Sequence, residues 1–299
     1  MLQADSPNPL ALSATKRWLY SWWPSRRLGI DPQQEVKIDG RYAPVSIANW
    51  KLIGPVAREL ISRRCLHPLT LDARKKLTVV IPFRDRESHL AQLLPVLRSQ
   101  LESQGIEHRV LVVEQGNSAL FNRGRLLNIG VHFSADRTDY YCLHDADAIP
   151  ICADYRWPSQ PLRLVHIVES SQKVSRRPDH YFSWAVSIRK EQYLAANGFS
   201  NEYWGWGKED DDFFFRLLKA GFLCYYDLEG RFQDLPNPAS QETHRHDKVA
   251  QRSVEENRKR RSRLLRGLDN PAEDGLSTLN YSVLSHVQNE LHEKITVTW

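Results

Sequence analysis

Two short runs limit this chain more than anything else in it. Leu77-Thr78-Val79-Val80-Ile81 and Arg109-Val110-Leu111-Val112-Val113 are almost wholly apolar and rich in β-branched residues. Neither alternates apolar with polar, so each reads as a strand buried on both faces, as in the parallel sheet of an α/β protein. Between them, residues 88–101 set Leu90, Leu93, Leu94, Val96 and Leu97 at helical spacing. Residues 120–131 read as a second helix and 139–143 as a third strand. Such a doubly wound core binds ligands beyond the carboxyl ends of its strands. Polar residues stand at those ends: Arg84 and Arg86 after the first strand, Glu114 after the second, His144-Asp145-Ala146-Asp147 after the third. No G-x-G-x-x-G or G-K-[ST] loop is present, so dinucleotide and P-loop chemistry are unsupported.

The densest chemistry lies downstream, in Tyr203-Trp204-Gly205-Trp206-Gly207-Lys208-Glu209-Asp210-Asp211-Asp212. Two indoles alternating with two glycines, followed at once by four acids, suit a sugar. A pyranose packs its C–H face on an aromatic ring and offers hydroxyls that a carboxylate can accept from or deprotonate. The glycines allow tight turns and close approach. Glu209 to Asp212 would open a helix continued by residues 213–220, where acids favour the dipole.

Asp145-Ala146-Asp147 at a strand end suits a hard cation, Mn²⁺ or Mg²⁺, able to bridge a diphosphate. His244-Arg245-His246-Asp247 offers two imidazoles one residue apart, which shift the preference toward Mn²⁺ if they converge. A surface loop explains the histidine pair equally well.

At 299 residues the chain can bury a full core, and its net charge of +5, from 41 basic and 36 acidic residues, is mild. The basic run Arg258-Lys259-Arg260-Arg261 is interleaved with Glu255 and Glu256 nearby and reads as a solvated helix face, so no nucleic-acid partner is expected. Cys65, Cys142, Cys152 and Cys224 have no metal or redox spacing and are expected as free thiols. No apolar run is long enough to cross a bilayer, so a cytoplasmic protein is expected. Residues 1–75 read as a partly helical extension, with 48–64 a helical stretch, and 76–299 as the catalytic domain. Within the extension Trp18, Tyr20, Trp22 and Trp23 mix with Lys16, Arg17, Arg26 and Arg27. That mixture suits peripheral contact with a membrane or a short amphipathic helix packed on the main domain.

Four segments together resemble one family. Pro82-Phe83-Arg84-Asp85-Arg86, residues 121–130 (Phe121-Asn122-Arg123 onward), Asp145-Ala146-Asp147-Ala148-Ile149-Pro150 and the Trp-Gly-Trp-Gly-Lys-Glu-Asp-Asp-Asp run occur in the order and at about the spacing of the β-1,4-galactosyltransferases. These are inverting, metal-dependent glycosyltransferases of family 7. The resemblance runs from about residue 77 to the end, where residues 274–279 and 295–297 also match. It implies the GT-A fold, a Rossmann-like α/β architecture with a mixed central sheet and flanking helices, here with an N-terminal extension.

The resemblance also implies roles. Pro82, Phe83, Arg84 and Arg86 would hold the uridine and ribose of a UDP-sugar, helped by Phe121 and Arg123. Asp145 would lie by the donor and Asp147 on the metal, Mn²⁺ or Mg²⁺, with His244 and His246 as further ligands. That H-x-H-D segment is most similar to the branch that galactosylates xylose. Asp210 would be the general base and Glu209 and Asp211 its sugar-binding neighbours. Tyr203, Trp206, Gly207 and Asp211 would contact a saccharide or glycoconjugate acceptor, and Trp206 would close over the sugars. Tyr181 matches a tyrosine tied to choosing galactose over N-acetylgalactosamine. Phe182-Ser183-Trp184 departs from the family's Phe-Gly-Gly, setting Trp184 beside the donor sugar. UDP-galactose is the expected donor, with UDP-GalNAc and UDP-glucose as alternatives, and a glycan-binding module without turnover as another class. A bacterial, cytoplasmic form of the family is expected, because the membrane helix and disulfides of its best-known members have no counterpart here.

Overall fold

A computed structural model describes residues 41–45, 71–170, 173–177, 181–236 and 247–299. All of these lie in a compact unit that begins at Asp39. In chain order its strands are β1 (Tyr42–Pro44), β2 (Leu71–Asp72), β3 (Leu77–Phe83), β4 (His108–Gln115), β5 (Tyr140–His144), β6 (Ala148–Cys152), β7 (Trp157–Pro158) and β8 (Leu162–Arg163). There follow β9 (Ile167–Glu169), β10 (Val174–Arg176), β11 (Ala185–Arg189), β12 (Tyr225–Asp227), β13 (Arg231–Asp234), β14 (Ser282–Gln288) and β15 (Glu293–Thr298). The α-helices are α1 (Glu87–Ser103), α2 (Arg123–Ser134), α3 (Lys190–Ala195), α4 (Glu209–Lys219) and α5 (Lys248–Leu265).

The central sheet is mixed, in the order β1-β12-β8-β11-β5-β3-β4-β15-β14. Its middle is parallel: β3 runs alongside β4 and β5, and β15 alongside β4. Every residue of β3 is buried, as a strand covered on both faces requires. Alternation assigns the faces: Leu77, Val79, Ile81 and Phe83 pack with Leu90, Leu93, Leu94, Leu97 and Leu101 of α1, while Val80 turns the other way, into the cluster holding Leu126, Leu127, Ile129 and Val131 of α2. Helix α2 presses closely on the sheet because Gly130 has no side chain; a Cβ there would collide with Val80 Cγ1. Each fully buried Leu or Ile on these two faces contributes roughly 1.5–3 kcal/mol.

Antiparallel pairing then brings distant residues to one end of the sheet. Strand β11 runs against β5 with Ala185 opposite His144, which sets Trp184 beside Asp145. A second sheet, β10-β9-β13-β6, pairs Asp234 with Ala148, so the end of β13 arrives next to Asp147. Strands β1 and β2, from before residue 76, pair with β12 and β7. The expected helical stretch at 48–64 and the Trp/Arg-rich segment lie outside the described residues. Among the described residues Cys142, Cys152 and Cys224 are free thiols, and no helix is long and apolar enough to cross a membrane.

Candidate active site

The carboxyl ends of β3 and β5, the start of α2 and the first turn of α4 meet around Arg123. Asn122 caps α2, its side chain accepting from the Arg125 amide at 2.9 Å and donating to the Asn201 carbonyl at 2.7 Å. That fixes the next residue. Arg123 Nε donates to Asp145 Oδ1 at 2.6 Å, and its Nη1 lies 3.9 Å from Glu209 Oε1. After β3, Arg84 donates to the Ala119 carbonyl at 2.7 Å and its guanidinium carbon lies 5.4 Å from the centre of the Phe121 ring, setting a cation and an aromatic ring side by side. Arg86 Nη1 donates to Asp147 Oδ2 at 3.1 Å.

The first turn of α4 holds Glu209, Asp210, Asp211 and Asp212. Burial, then the charge of Asp210, raises Glu209 to about 8, and the opposing pull of Arg123 does not prevail. Burial also raises Asp145 to about 6 against the same arginine. Asp210 is raised by burial and by Asp211, and one of its oxygens accepts from the Asp211 amide at 2.8 Å. The site thus holds carboxyls that take up protons nearer neutrality than free ones do, the property required of a general base. Asp211 is held by Lys208 at 3.1 Å and by Arg261 of α5 at 2.9 Å.

Above this turn lies the tryptophan loop. Gly205, Gly207 and Lys208 all have positive φ, at 69°, 93° and 81°. Glycine adopts this region cheaply, and it turns the loop back on itself before the helix starts. The Gly205 amide donates to the Phe121 carbonyl at 2.8 Å, and the Trp204 carbonyl accepts from Ser253 and Asn257 of α5. Trp206 is 61% exposed at the mouth of the site.

On the other flank, Arg163 donates to the Tyr181 carbonyl, and the Tyr181 phenol is raised by burial and by the charges of Asp210 and Asp145, which puts it within electrostatic reach of both. Trp184 has φ 75°, a conformation that costs a non-glycine residue roughly 1–2 kcal/mol. Its carbonyl accepts from the Asp145 amide at 2.8 Å. A glycine at this position is therefore explained by the backbone, and the indole is tolerated because it packs on the core and under Arg177.

Three expectations need correction. Pro82 and Phe83 lie inside the sheet, and Phe83 faces α1 in the core, so they can offer a ligand only the backbone at the strand end. Tyr203 is 2% exposed and its hydroxyl donates to Asp212 Oδ2 at 2.9 Å, so its side chain braces α4 and does not face an acceptor. Glu114 accepts from Lys294 and Thr296 and fastens β15 to β4. Arg177 and Asp234 leave no signal in local spacing, and Arg261, expected on a solvated helix face, instead pairs with Asp211.

Asp147, partly exposed beside Arg86, is the described candidate for metal ligation. His244 and His246 lie outside the described residues. The Leu235 amide donates to the Asp147 carbonyl at 3.0 Å, so the chain leaves for the histidine segment from beside Asp147. A carboxylate and two imidazoles form a donor set that suits Mn²⁺.

Two family models match the chain: the N-terminal region of glycosyl transferase group 7 over residues 32–156, and the N-terminal domain of galactosyltransferase over residues 163–231. Mouse β-1,4-galactosyltransferase 4 is 32% identical over 251 residues, covering 79% of this chain and 67% of the relative. The chain belongs to the group 7 glycosyltransferases. Within that family, Drosophila β-1,4-galactosyltransferase 7 is 37% identical over 148 residues, 49% of this chain and 46% of the relative. A solved structure of a variant of that fly enzyme, in complex with manganese, UDP-Gal and xylobiose, superposes with a TM-score of 0.62 at 26% identity, covering 75% of this chain and 93% of that one. This group 7 chain has the GT-A fold, with the expected mixed sheet. It spans about half the length of the first curated relatives it matches, 46% and 58%. These animal relatives give no support to the expected bacterial origin.

Proposed function

We propose that this chain is an inverting galactosyltransferase that moves galactose from UDP-galactose to a hydroxyl of a saccharide acceptor. The observation that carries the reading is the convergence of Asp145, Glu209 and Asp210 around Arg123 at the strand ends, with Asp147 paired to Arg86, beside the Trp206 loop, in a group 7 chain. The solved complex of the fly enzyme with UDP-Gal, manganese and xylobiose supports the choice of donor, metal and acceptor class.

The residues divide the work between two sides. The uracil and ribose lie against Arg84 and Phe121, with Arg86 toward the diphosphate. Asp147, His244 and His246 would hold Mn²⁺, which when bound neutralises charge growing on the departing diphosphate. Asp210 accepts the proton of the attacking hydroxyl, a role worth about 10²–10⁴-fold in rate. Glu209, still protonated at neutral pH, donates a hydrogen bond to a sugar oxygen. Asp211 and Trp206 position the acceptor, and closure of the indole excludes water that would otherwise hydrolyse the donor. A single displacement on the face opposite UDP turns an α-linked donor into a β-linked product. Trp184 crowds the donor side near Tyr181 and so favours an unsubstituted hexose over an N-acetylhexosamine.

The test is to screen UDP-galactose, UDP-glucose and UDP-GalNAc with Mn²⁺, first for hydrolysis and then for transfer to a panel including xylosides. UDP-galactose with a β-linked product is expected. Asp210→Asn should bind UDP normally and lose transfer by 10²-fold or more. Preference for another donor, or an Asn variant that transfers normally, would overturn the assignment.

A further inference from the structure

Arg177 follows β10, and its amide donates to the His166 carbonyl at 2.7 Å, so the backbone beneath it is fixed. Its guanidinium carbon lies 4.0 Å from the centre of the Trp184 ring and 5.3 Å from that of Tyr181. Two rings expected beside the donor sugar therefore both lie close to one cation. The gripped group is short of partners: its buried Nε has no hydrogen-bond acceptor, and Arg177 forms no ion pair among the described residues. Other arginines near the site are paired, Arg86 with Asp147, Arg123 with Asp145 and Arg261 with Asp211.

The charge of Arg177 nonetheless acts on Asp234, which also feels Asp147, and on the Tyr181 phenol, which feels Asp145 and Asp210. Arg177 is thus within electrostatic reach of Asp234 and of Tyr181. A guanidinium held against an indole face still has N–H groups to offer, and those match the oxygens of a phosphate. A partly buried cation with unused donors is costly unless an anion arrives to meet it.

Resting on the proposed UDP-sugar reading, we propose that Arg177 is a second cation of the diphosphate site, held in place by the Trp184 and Tyr181 rings. Its role is to bind the donor's phosphates and to steady the negative charge left on UDP when the sugar departs. The indole at position 184, with its strained backbone, is then retained as the platform for this arginine.

Calorimetric titration of uridine and of UDP, each with Mn²⁺, into the wild-type protein, Arg177→Met, Arg177→Lys and Trp184→Gly tests this, with thermal melting of each variant as the control for folding. Arg177→Met should weaken UDP by about tenfold or more, the range of one charge-assisted hydrogen-bonding group, and leave uridine unchanged. Arg177→Lys should recover part of the UDP affinity, and Trp184→Gly should lose part of it by freeing the guanidinium. Equal UDP affinity in wild type and Arg177→Met would overturn the assignment, as would a parallel loss of uridine and UDP. A wild-type protein that binds no UDP removes the proposed function and this assignment with it; one that binds UDP while Arg177→Met binds equally well removes the assignment alone.

Discussion

Arg123 Nε donates to Asp145 Oδ1 across 2.6 Å, joining the first residue inside α2 to the residue just past β5. Both side chains are largely buried, at 12% and 19% exposure, so removing either partner strands a charge. Arg123→Met should cost about 2–4 kcal/mol. Combining it with Asp145→Asn should cost less than the sum of the single changes, with a coupling of about 1–3 kcal/mol measured by urea unfolding. Additive losses would mean that the pair is not a unit.

Glu209 links the site to pH. Its carboxyl is raised from 4.5 to about 8 by burial and by Asp210. Between those values the unfolded chain has released this proton and the folded chain keeps it, so stability falls as pH rises through the window. Glu209→Gln has no proton to lose. It should melt higher than the wild type at pH 8, by a few degrees or on the order of 1–2 kcal/mol, and about equally near pH 4.5. A melting difference that does not widen with pH would show that Glu209 ionises normally.

Trp184 inverts a familiar ranking. Alanine normally exceeds glycine in stability by roughly 0.5–1 kcal/mol, but at φ 75° a Cβ is penalised. Both small substitutions lose the indole's packing on the core, so Trp184→Gly should be the more stable of the two by about 1 kcal/mol. The reverse order in chemical denaturation would mean that this backbone relaxes once the ring is gone.

Replacement of both His244 and His246 by alanine should raise the Mn²⁺ concentration needed for UDP binding by at least 10-fold, the scale of losing ligand nitrogens. An unchanged metal requirement would place the ligands elsewhere.

The middle of the sheet was legible in the chain because β3 and β4 are buried on both faces and so write their burial as unbroken apolar runs. Strands such as β8, with two residues, and β11, whose partners lie on antiparallel neighbours, leave no such run. The acidic turn was legible because its four carboxyls adjoin in sequence. Tyr203 was misread for a tertiary reason: an aromatic beside a sugar-like motif looks like a ligand contact until its hydroxyl is found on Asp212. Arg177 leaves no sequence signal because only the pairing of β10 with β9 decides which arginine of the pair Arg176-Arg177 meets Trp184. The positive φ at Trp184 likewise has no local signature.

Strand β15 is not an edge. It runs parallel to β4 on one side and antiparallel to β14 on the other, with Ile295 and Val297 fully buried. Proteolytic trimming of Glu293–Thr298 would therefore pull a plank from inside the floor. It would orphan β14, whose residues are all exposed, and leave β4 presenting unpaired amides to whatever strand came near. Loss of those few residues would turn a closed sheet into a seed for clumping.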